Sequence, residues 1–199
     1  MGGPRNEDWK AWADAVALSR PLRCPIRCQI VANVMMQVYL ESVDSTNDLA
    51  RRLLPSMPVE GMVMVAFSQT NGRGRLNRRW ESPKGGLYYT RVEPSRGRTP
   101  LSVAHLVQRM ALKQGVACQI EWPNDLIIGH RKWGGILIEQ LSHPVSRIRY
   151  DMIGIGLNLN KGGCLGGGHL NAISAQDVLG YSVSIQKWAE ALTEEFGCQ

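Results

Sequence analysis

The sequence predicts an α+β fold in which helices flank a mixed, mainly antiparallel sheet. Three observations favour this class. Strand-like segments dominate the middle of the chain, many of them are close enough along the chain to pair as hairpins, and segments with helical periodicity lie before and after them. With 199 residues, 44% of them hydrophobic, the chain suits one ordinary domain with a buried core.

Residues 1–34 lack the regular pattern of the rest. Four apolar residues would line one side of a short helix there: Trp9, Trp12, Val16 and Leu18. Pro21 and Pro25 then stop any regular element. We therefore treat 1–34 as an extension of undetermined structure and 35–199 as the folded domain, with Met35 or Met36 as an alternative start of the chain.

The elements of the first half follow in a regular order. A strand is predicted at 36–43, and Ser45 can cap a helix over 46–54, which Pro55 ends. Beyond it we predict a strand (62–67), a polar, Gly-rich loop (71–79) and a second strand (86–92).

The second half alternates in a similar way. A helix begins at Ser102 and ends near Gly115. The elements that follow are a strand (117–122), a hairpin of 126–128 and 133–138 that turns at Gly129 and His130, a long strand (147–157) and a last helix (185–196). Alternation in the strand 117–122 puts Cys118, Ile120 and Trp122 on its apolar face and Glu121 on the other.

The basic charge is concentrated in one stretch. The net charge is +6, yet residues 69–113 alone hold ten basic and two acidic side chains, a local charge of +8. A local cluster of this kind indicates either a nucleic-acid-binding patch or a pocket for a small anionic ligand.

No membrane span or export signal is predicted. No run approaches the roughly 20 apolar residues that a membrane helix needs, and the N-terminus lacks a basic start followed by an apolar block. Five scattered cysteines fit reduced thiols. We therefore expect a cytoplasmic protein.

A Gly- and Arg-rich loop begins at Gln69 and ends at Trp80. Glycines allow backbone N–H groups to turn around an anion, and four arginines within seven residues supply charged donors for phosphate or carboxylate. A solvated basic loop has the same composition, so both interpretations stand.

Polar side chains follow the strand 117–122. Pro123 cannot donate to a sheet ladder, so the chain bends there and presents Asn124 and Asp125. This pair could read a base edge, hold a metal or accept a proton. An ordinary Asn-Asp turn is the alternative.

Two glycine-containing strands complete the set. Gly134 and Gly135 weaken a strand, which is tolerated where a ligand approaches the backbone, and Lys132 would point its ammonium at that ligand. Residues 154–160 repeat the theme and place Asn158 after two glycines. A surface lysine and close packing of elements are the alternatives.

Together and in this order, these segments resemble the biotin protein ligases. The resemblance is carried by Ser45-Thr46-Asn47, GRGRxxRxW at 72–80, WPNDL at 122–126, KxGGILxE at 132–139 and GxGxNxN at 154–160. It implies a fold akin to the class II aminoacyl-tRNA synthetases. It also implies that ATP and Mg²⁺ convert biotin to biotinyl-5′-adenylate, from which biotin passes to a lysine of a biotin carboxyl carrier protein.

The resemblance assigns roles to single residues. Biotin would be bound by Ser45, Thr46, Asn47, Gln69, Arg73, Gly74, Arg75, Lys132, Gly134 and Gly135. ATP would be bound by Arg73, Arg75, Arg78, Trp80, Asn124 and Asn158. Lys132, Arg73 and Arg75 would neutralise the charge that builds when a carboxylate attacks the α-phosphate. Asp125 would help to deprotonate the acceptor lysine, and no metal ligands are assigned.

Several features depart from the family pattern. Glu121 stands where a lysine is usual, and Leu76 and Asn77 replace a basic residue and a glycine. We expect neither the C-terminal SH3-like barrel nor the N-terminal winged helix of some members. We therefore expect residues 35–199 to form a catalytic domain, without DNA or membrane binding and with a homodimer as one possible state. The alternatives are a lipoate–protein ligase of the same superfamily and a nonenzymatic binder of biotin or its adenylate.

Overall fold

The computed structural model describes residues 27–31, 35–56, 61–160 and 171–197. The helix considered for residues 9–18 lies outside these ranges, as do Cys24, Cys164 and Cys198. Cys118 is a free, buried thiol, and burial raises its pKa to about 11. None of the described helices combines the length and the apolar composition that crossing a membrane would need.

The centre of the fold is an eight-stranded sheet. Its strands in chain order are β1 (Arg27–Val31), β2 (Met35–Leu40), β3 (Val63–Ala66), β4 (Leu87–Pro94), β5 (Gln119–Glu121), β6 (Asp125–Ile128), β7 (Arg131–Ser142) and β8 (Arg149–Leu157). Their order across the sheet is β1-β2-β3-β4-β8-β7-β6-β5. Among these strands, β2 and β3 pair in parallel, and all of the remaining neighbours pair antiparallel. The predicted α+β class is confirmed.

Helices cover both faces of this sheet. They are α1 (Thr46–Leu53), α2 (Pro100–Lys113), α3 (Ala175–Leu179) and α4 (Ile185–Gly197). Met64 of β3 faces the α1 side, whereas its neighbours Val63 and Val65 face α2 and α4, and all three are fully buried. A strand covered on both faces reads as a continuous apolar run, which is why 62–67 shows no alternation.

The structure differs from the sequence predictions at three places. The sequence predicts no strand in 1–34, yet β1 lies there, because hydrogen bonds to the antiparallel strand β2 stabilise a segment that has no clear strand pattern of its own. The five-residue α3 is too short to show helical periodicity. Trp122 is 80% exposed rather than part of the apolar face, since β5 ends at Glu121 and residues 122–124 form a turn.

Ion pairs attach the last helix to α2. The carboxylate of Glu195 accepts from Lys113 Nζ at 2.6 Å and from Arg109 Nε at 2.9 Å. These two hydrogen bonds, Lys113 first, hold the pKa of Glu195 below its usual value. The ring of Phe196 stacks on Tyr89 of β4 with centroids 6.2 Å apart, so α4 is bound to both α2 and the sheet.

Candidate functional site

A floor of glycines lies on the α1 face of the sheet, where β7 meets β8. Gly135 pairs with Gly156 across the two strands. A Cβ at Gly156 would lie 2.7 Å from Trp80 Nε1, and one at Gly135 would lie 3.2 Å from the same ring. The indole of Trp80 therefore lies directly on the sheet, because the glycines leave no side chain between them.

Lys132 reaches the same face because β7 contains a bulge. In a regular strand, Lys132 would share its face with Gly134 rather than with Gly135. Against β6, however, the register shifts by one residue, so that Trp133 is additional. Trp133 is fully buried in the core beneath α2 and α4. Lys132 thereby turns toward the glycine floor.

The ammonium of Lys132 lies between a carboxylate and an indole. Nζ donates to Asp125 Oδ2 at 2.6 Å and lies 5.4 Å from the centroid of the Trp80 ring. The main chain of Lys132 donates to Asn171 O at 2.8 Å and accepts from Ile173 N at 3.0 Å. A cation over an aromatic face is attracted by the ring, so these contacts hold a positive charge beside the floor.

A chain of hydrogen bonds connects the basic loop to the start of α1. Gln69 Oε1 accepts from the backbone N–H of Thr46 at 2.8 Å, and Gln69 Nε2 donates to Ser82 Oγ at 2.9 Å. Buried Thr90 lies 2.8 Å from Thr46 Oγ1 and donates to Asn47 Oδ1 at 2.6 Å. A backbone N–H can only donate, so the Gln69 amide has one possible orientation. Thr46, Asn47 and Gln69 are thus held in one arrangement.

Four charged side chains extend this network. Glu139 Oε2 accepts from Asn47 Nδ2 at 2.9 Å, and Oε1 accepts from Arg51 Nη2 at 2.9 Å. Arg73 Nη2 forms an ion pair with Asp48 and lies 3.3 Å from Glu139 Oε2. Asp48 and Glu139 were not among the predicted site residues. Glu139 ends the KxGGILxE pattern, which was the available signal.

The tip of the loop meets the turn after β5. Arg75 Nη1 donates to Asn124 Oδ1 at 3.1 Å, and Asn124 Nδ2 donates to Ile136 O at 3.0 Å. Gly74 N–H donates to Arg78 O at 2.7 Å, and the Arg78 side chain is exposed. The predicted loop residues and Asn124 therefore lie at one edge of the site.

Ser45 and Asn158 have structural partners. Ser45 Oγ accepts from the backbone N–H of Asp48 at 3.4 Å and caps α1. Asn158 is buried, and its Nδ2 donates to Lys132 O at 3.3 Å. Its backbone carbonyl oxygen accepts from Trp133 Nε1 at 2.9 Å. Contacts of Ser45 and Asn158 with a ligand stay predictions.

Among the residues that the structure describes, two buried N–H donors of the site have no hydrogen-bond partner, Arg73 Nε and Trp80 Nε1. Buried donors are seldom left unpaired, because the hydrogen bond lost to water is then not replaced. An acceptor oxygen of a bound molecule could satisfy either donor. Together with the ammonium of Lys132, this suits a ligand that carries acceptors and negative charge.

The sequence pattern of the biotin/lipoate A/B protein ligase family matches residues 39–160. The chain belongs to this family. The matched range contains the glycine floor, the basic loop and Lys132, so the site lies within the part that the family shares.

Two relatives are similar over well over half of the chain. The chain is 35% identical over 132 residues to the bifunctional ligase/repressor BirA of Bacillus spizizenii, a match that covers 62% of the chain and 40% of that relative. It is 31% identical over 169 residues to the biotin–[acetyl-CoA-carboxylase] ligase of Paracoccus denitrificans, covering 79% of the chain and 70% of the relative. The chain thus spans less than half the length of the first relative.

Solved structures of family members have the same fold. The biotin protein ligase of Aquifex aeolicus in complex with biotin and ATP superposes with a TM-score of 0.67 at 26% identity, covering 81% of the chain and 68% of that protein. The biotin protein ligase of Leishmania major in complex with biotinyl-5-AMP gives a TM-score of 0.65 at 28% identity, covering 79% and 71%.

The carboxylates of the site are each paired with a cation. Asp125 is bound to Lys132, and Asp48 and Glu139 share Arg73. Within the described ranges, no group of three or more His, Cys, Asp or Glu side chains gathers as metal ligands would. Mg²⁺ prefers one or two carboxylates together with phosphate oxygens. The paired carboxylates of Asp125, Asp48 and Glu139 do not fit a resident Mg²⁺ ion. Such an ion would arrive with the phosphates of a nucleotide.

Proposed function

We propose that the chain is an ATP-dependent biotin protein ligase. It activates biotin as biotinyl-5′-adenylate and transfers it to a lysine of a biotin carboxyl carrier protein. The main structural support for this proposal is the position of the Lys132 ammonium, which Asp125 and the Trp80 ring hold beside the glycine floor. The similar ligases solved in complex with biotin and ATP and with biotinyl-5-AMP support the same chemistry. The name of the Paracoccus relative supports a carrier of the acetyl-CoA-carboxylase type as acceptor.

The first step joins two anions. A carboxylate oxygen of biotin attacks the α-phosphorus of ATP, the bond from that phosphorus to the bridging oxygen breaks, and pyrophosphate leaves. Negative charge builds on the phosphoryl oxygens, so pre-positioned cationic donors lower the barrier. Lys132 beside the floor and Arg75 at the edge of the site support these two residues as such donors.

The second step needs a neutral amine. The acceptor lysine loses a proton and attacks the carbonyl carbon of the mixed anhydride, an amide forms, and AMP leaves. Asp125 is the carboxylate paired with Lys132 at 2.6 Å. When Lys132 turns to the anionic ligand, Asp125 loses the ammonium that balances its charge and becomes able to accept this proton.

Biotin-dependent release of pyrophosphate from ATP tests the proposal. We expect Lys132→Ala to reduce this rate by about a hundredfold or more, as the loss of one pre-positioned donor typically does. Lys187→Ala is the matched control, because Lys187 is exposed on α4. A Lys132→Ala rate equal to that of the parent would refute the assignment. Release that depends on lipoate instead of biotin would select the other branch of the family.

A further inference from the structure

Arg73 is held differently from the arginines that follow it in the basic loop. Its Nη2 pairs with Asp48 and also lies 3.3 and 3.5 Å from the two oxygens of Glu139. The Arg73 side chain is 24% exposed, whereas Arg79, which pairs with Glu81, is 72% exposed. Arg75 is exposed as well and donates to Asn124. The basic loop therefore has one enclosed arginine and several exposed ones.

The geometry of the Arg73 contacts limits what its guanidinium can bind. Arginine grips a carboxylate or a phosphate with two adjacent N–H groups, either Nε with Nη2 or Nη1 with Nη2. Both pairs include Nη2, which here faces two carboxylates. In this arrangement Arg73 has no complete two-pronged edge to offer a second anion.

The two carboxylates are themselves held by regular elements. Asp48 belongs to α1 and Glu139 to β7. Arg51 of α1 donates to Glu139 at 2.9 Å and lies 4.0 Å from Asp48. If the Arg73 side chain moved away, two partly buried carboxylates would be left with Arg51 as their shared cation. The cost of leaving buried charge poorly paired opposes this movement. Arg73 is therefore tied to the scaffold.

The tip of the loop is a small closed unit above this attachment. Arg73 forms an antiparallel bridge with Arg79, and Gly74 N–H donates to Arg78 O at 2.7 Å. The side chain of Arg75 reaches the turn after β5 through its hydrogen bond to Asn124. Residues 74–78 are thus held to one another, while the Arg73 side chain is held by α1 and β7.

We infer that Asp48 and Glu139 are positioning residues that anchor the basic loop through Arg73. The part of the loop at Arg73 stays attached to α1 and β7. The tip, residues 74–78 with Arg75, is the part that closes over a ligand. The inference rests on the proposed function only for its consequence, which is retention of biotinyl-adenylate. Without the anchor, the tip would close less often and the adenylate would escape sooner.

Limited trypsin digestion of the protein without ligands tests the anchor independently of any activity. The measured quantity is cleavage after Arg73 divided by cleavage after Arg75, from peptide mass spectrometry. We expect Asp48→Asn and Glu139→Gln to raise this ratio about threefold or more, the size that partly exposed ion pairs support. Glu195→Gln is the control, because it weakens two ion pairs between α2 and α4 and should leave the ratio unchanged. An unchanged ratio in both anchor variants would overturn the inference.

Leakage of adenylate tests the consequence. Asp48→Asn should raise the release of biotinyl-adenylate into solution, and the same change should add nothing in an Arg73→Gln background, because the pair is already broken. Independent, multiplying effects of the two changes would overturn the inference. If no variant and no parent protein forms adenylate while the digestion ratio still shifts, the anchor stands and the proposed function fails.

Discussion

Gly134 and Gly135 are neighbours in sequence but face opposite sides of the sheet. A Cβ at Gly134 would lie 2.6 Å from Leu157 Cδ2 and 2.8 Å from Gly156 O, and the latter is a backbone atom that cannot yield. Overpacking of this kind costs about 1–3 kcal/mol, while alanine restricts the unfolded chain and returns about 0.4–1 kcal/mol. We expect Gly134→Ala to lose ~0.5–2 kcal/mol, which lowers Tm by about 1–8 °C in a chain of this length.

Gly135→Ala should leave stability nearly unchanged and weaken the binding of biotin. Its nearest contacts would be the Trp80 ring, at 3.2 and 3.5 Å, and Asp125 Oδ1 at 3.6 Å. These are side-chain atoms that can shift by a few tenths of an ångström, so we expect the free energy of unfolding to stay within about 0.5 kcal/mol of the parent. The added methyl group and the shifted indole change the shape of the floor, and we expect biotin affinity to fall about tenfold, or ~1.4 kcal/mol.

Urea unfolding and calorimetric titration with biotin measure both quantities on the same two proteins. Each variant is the control for the other, since both add one methyl group to the same strand. If Gly134→Ala unfolds at the midpoint of the parent, or if Gly135→Ala is the less stable of the two, the assignment of their faces is incorrect.

Three further predictions follow from named contacts. Arg75→Gly should still bind biotin but release adenylate, seen as biotin on unrelated lysines; equal labelling by parent and variant would remove the closing role of the tip. Glu121 is exposed, so Glu121→Lys should change the KM for ATP by less than about tenfold, and a larger gain would show that the natural carboxylate obstructs the nucleotide. The pKa of Glu195 is lowered in the fold, so its carboxylate stabilises the protein above the pKa of the unfolded chain and this stabilisation is lost as pH falls through the folded pKa. Glu195→Gln should therefore lower the free energy of unfolding by about 1 kcal/mol at pH 7, with the difference shrinking as pH falls through the folded pKa of Glu195; a difference that persists in acid would contradict this.

Local patterns were sufficient for most of the scaffold. The apolar run at 62–67, the Ser45 cap and the helix periodicity after Ser102 are features of neighbouring residues, and they correspond to β3, α1 and α2. The order of the motifs also led to the family, because each motif is a short string that can be read without knowing where it folds. β1 and the exposure of Trp122 could not be read in this way, because they depend on strand pairing and on a chain reversal. α3 was missed because five residues are too few to show helical periodicity.

The sequence by itself determined the fold class and the family, and it named most of the side chains that the structure brings together at the candidate site. Only the tertiary structure decided how these residues are held. The bulge at Trp133 reverses the face of Lys132, which strict alternation would have placed on the side of Gly134. Glu139 meets Asn47 across 92 residues of chain, a contact that exists because β7 and α1 come together on one face of the sheet. Such contacts depend on strand order and register, and no short stretch of sequence contains either.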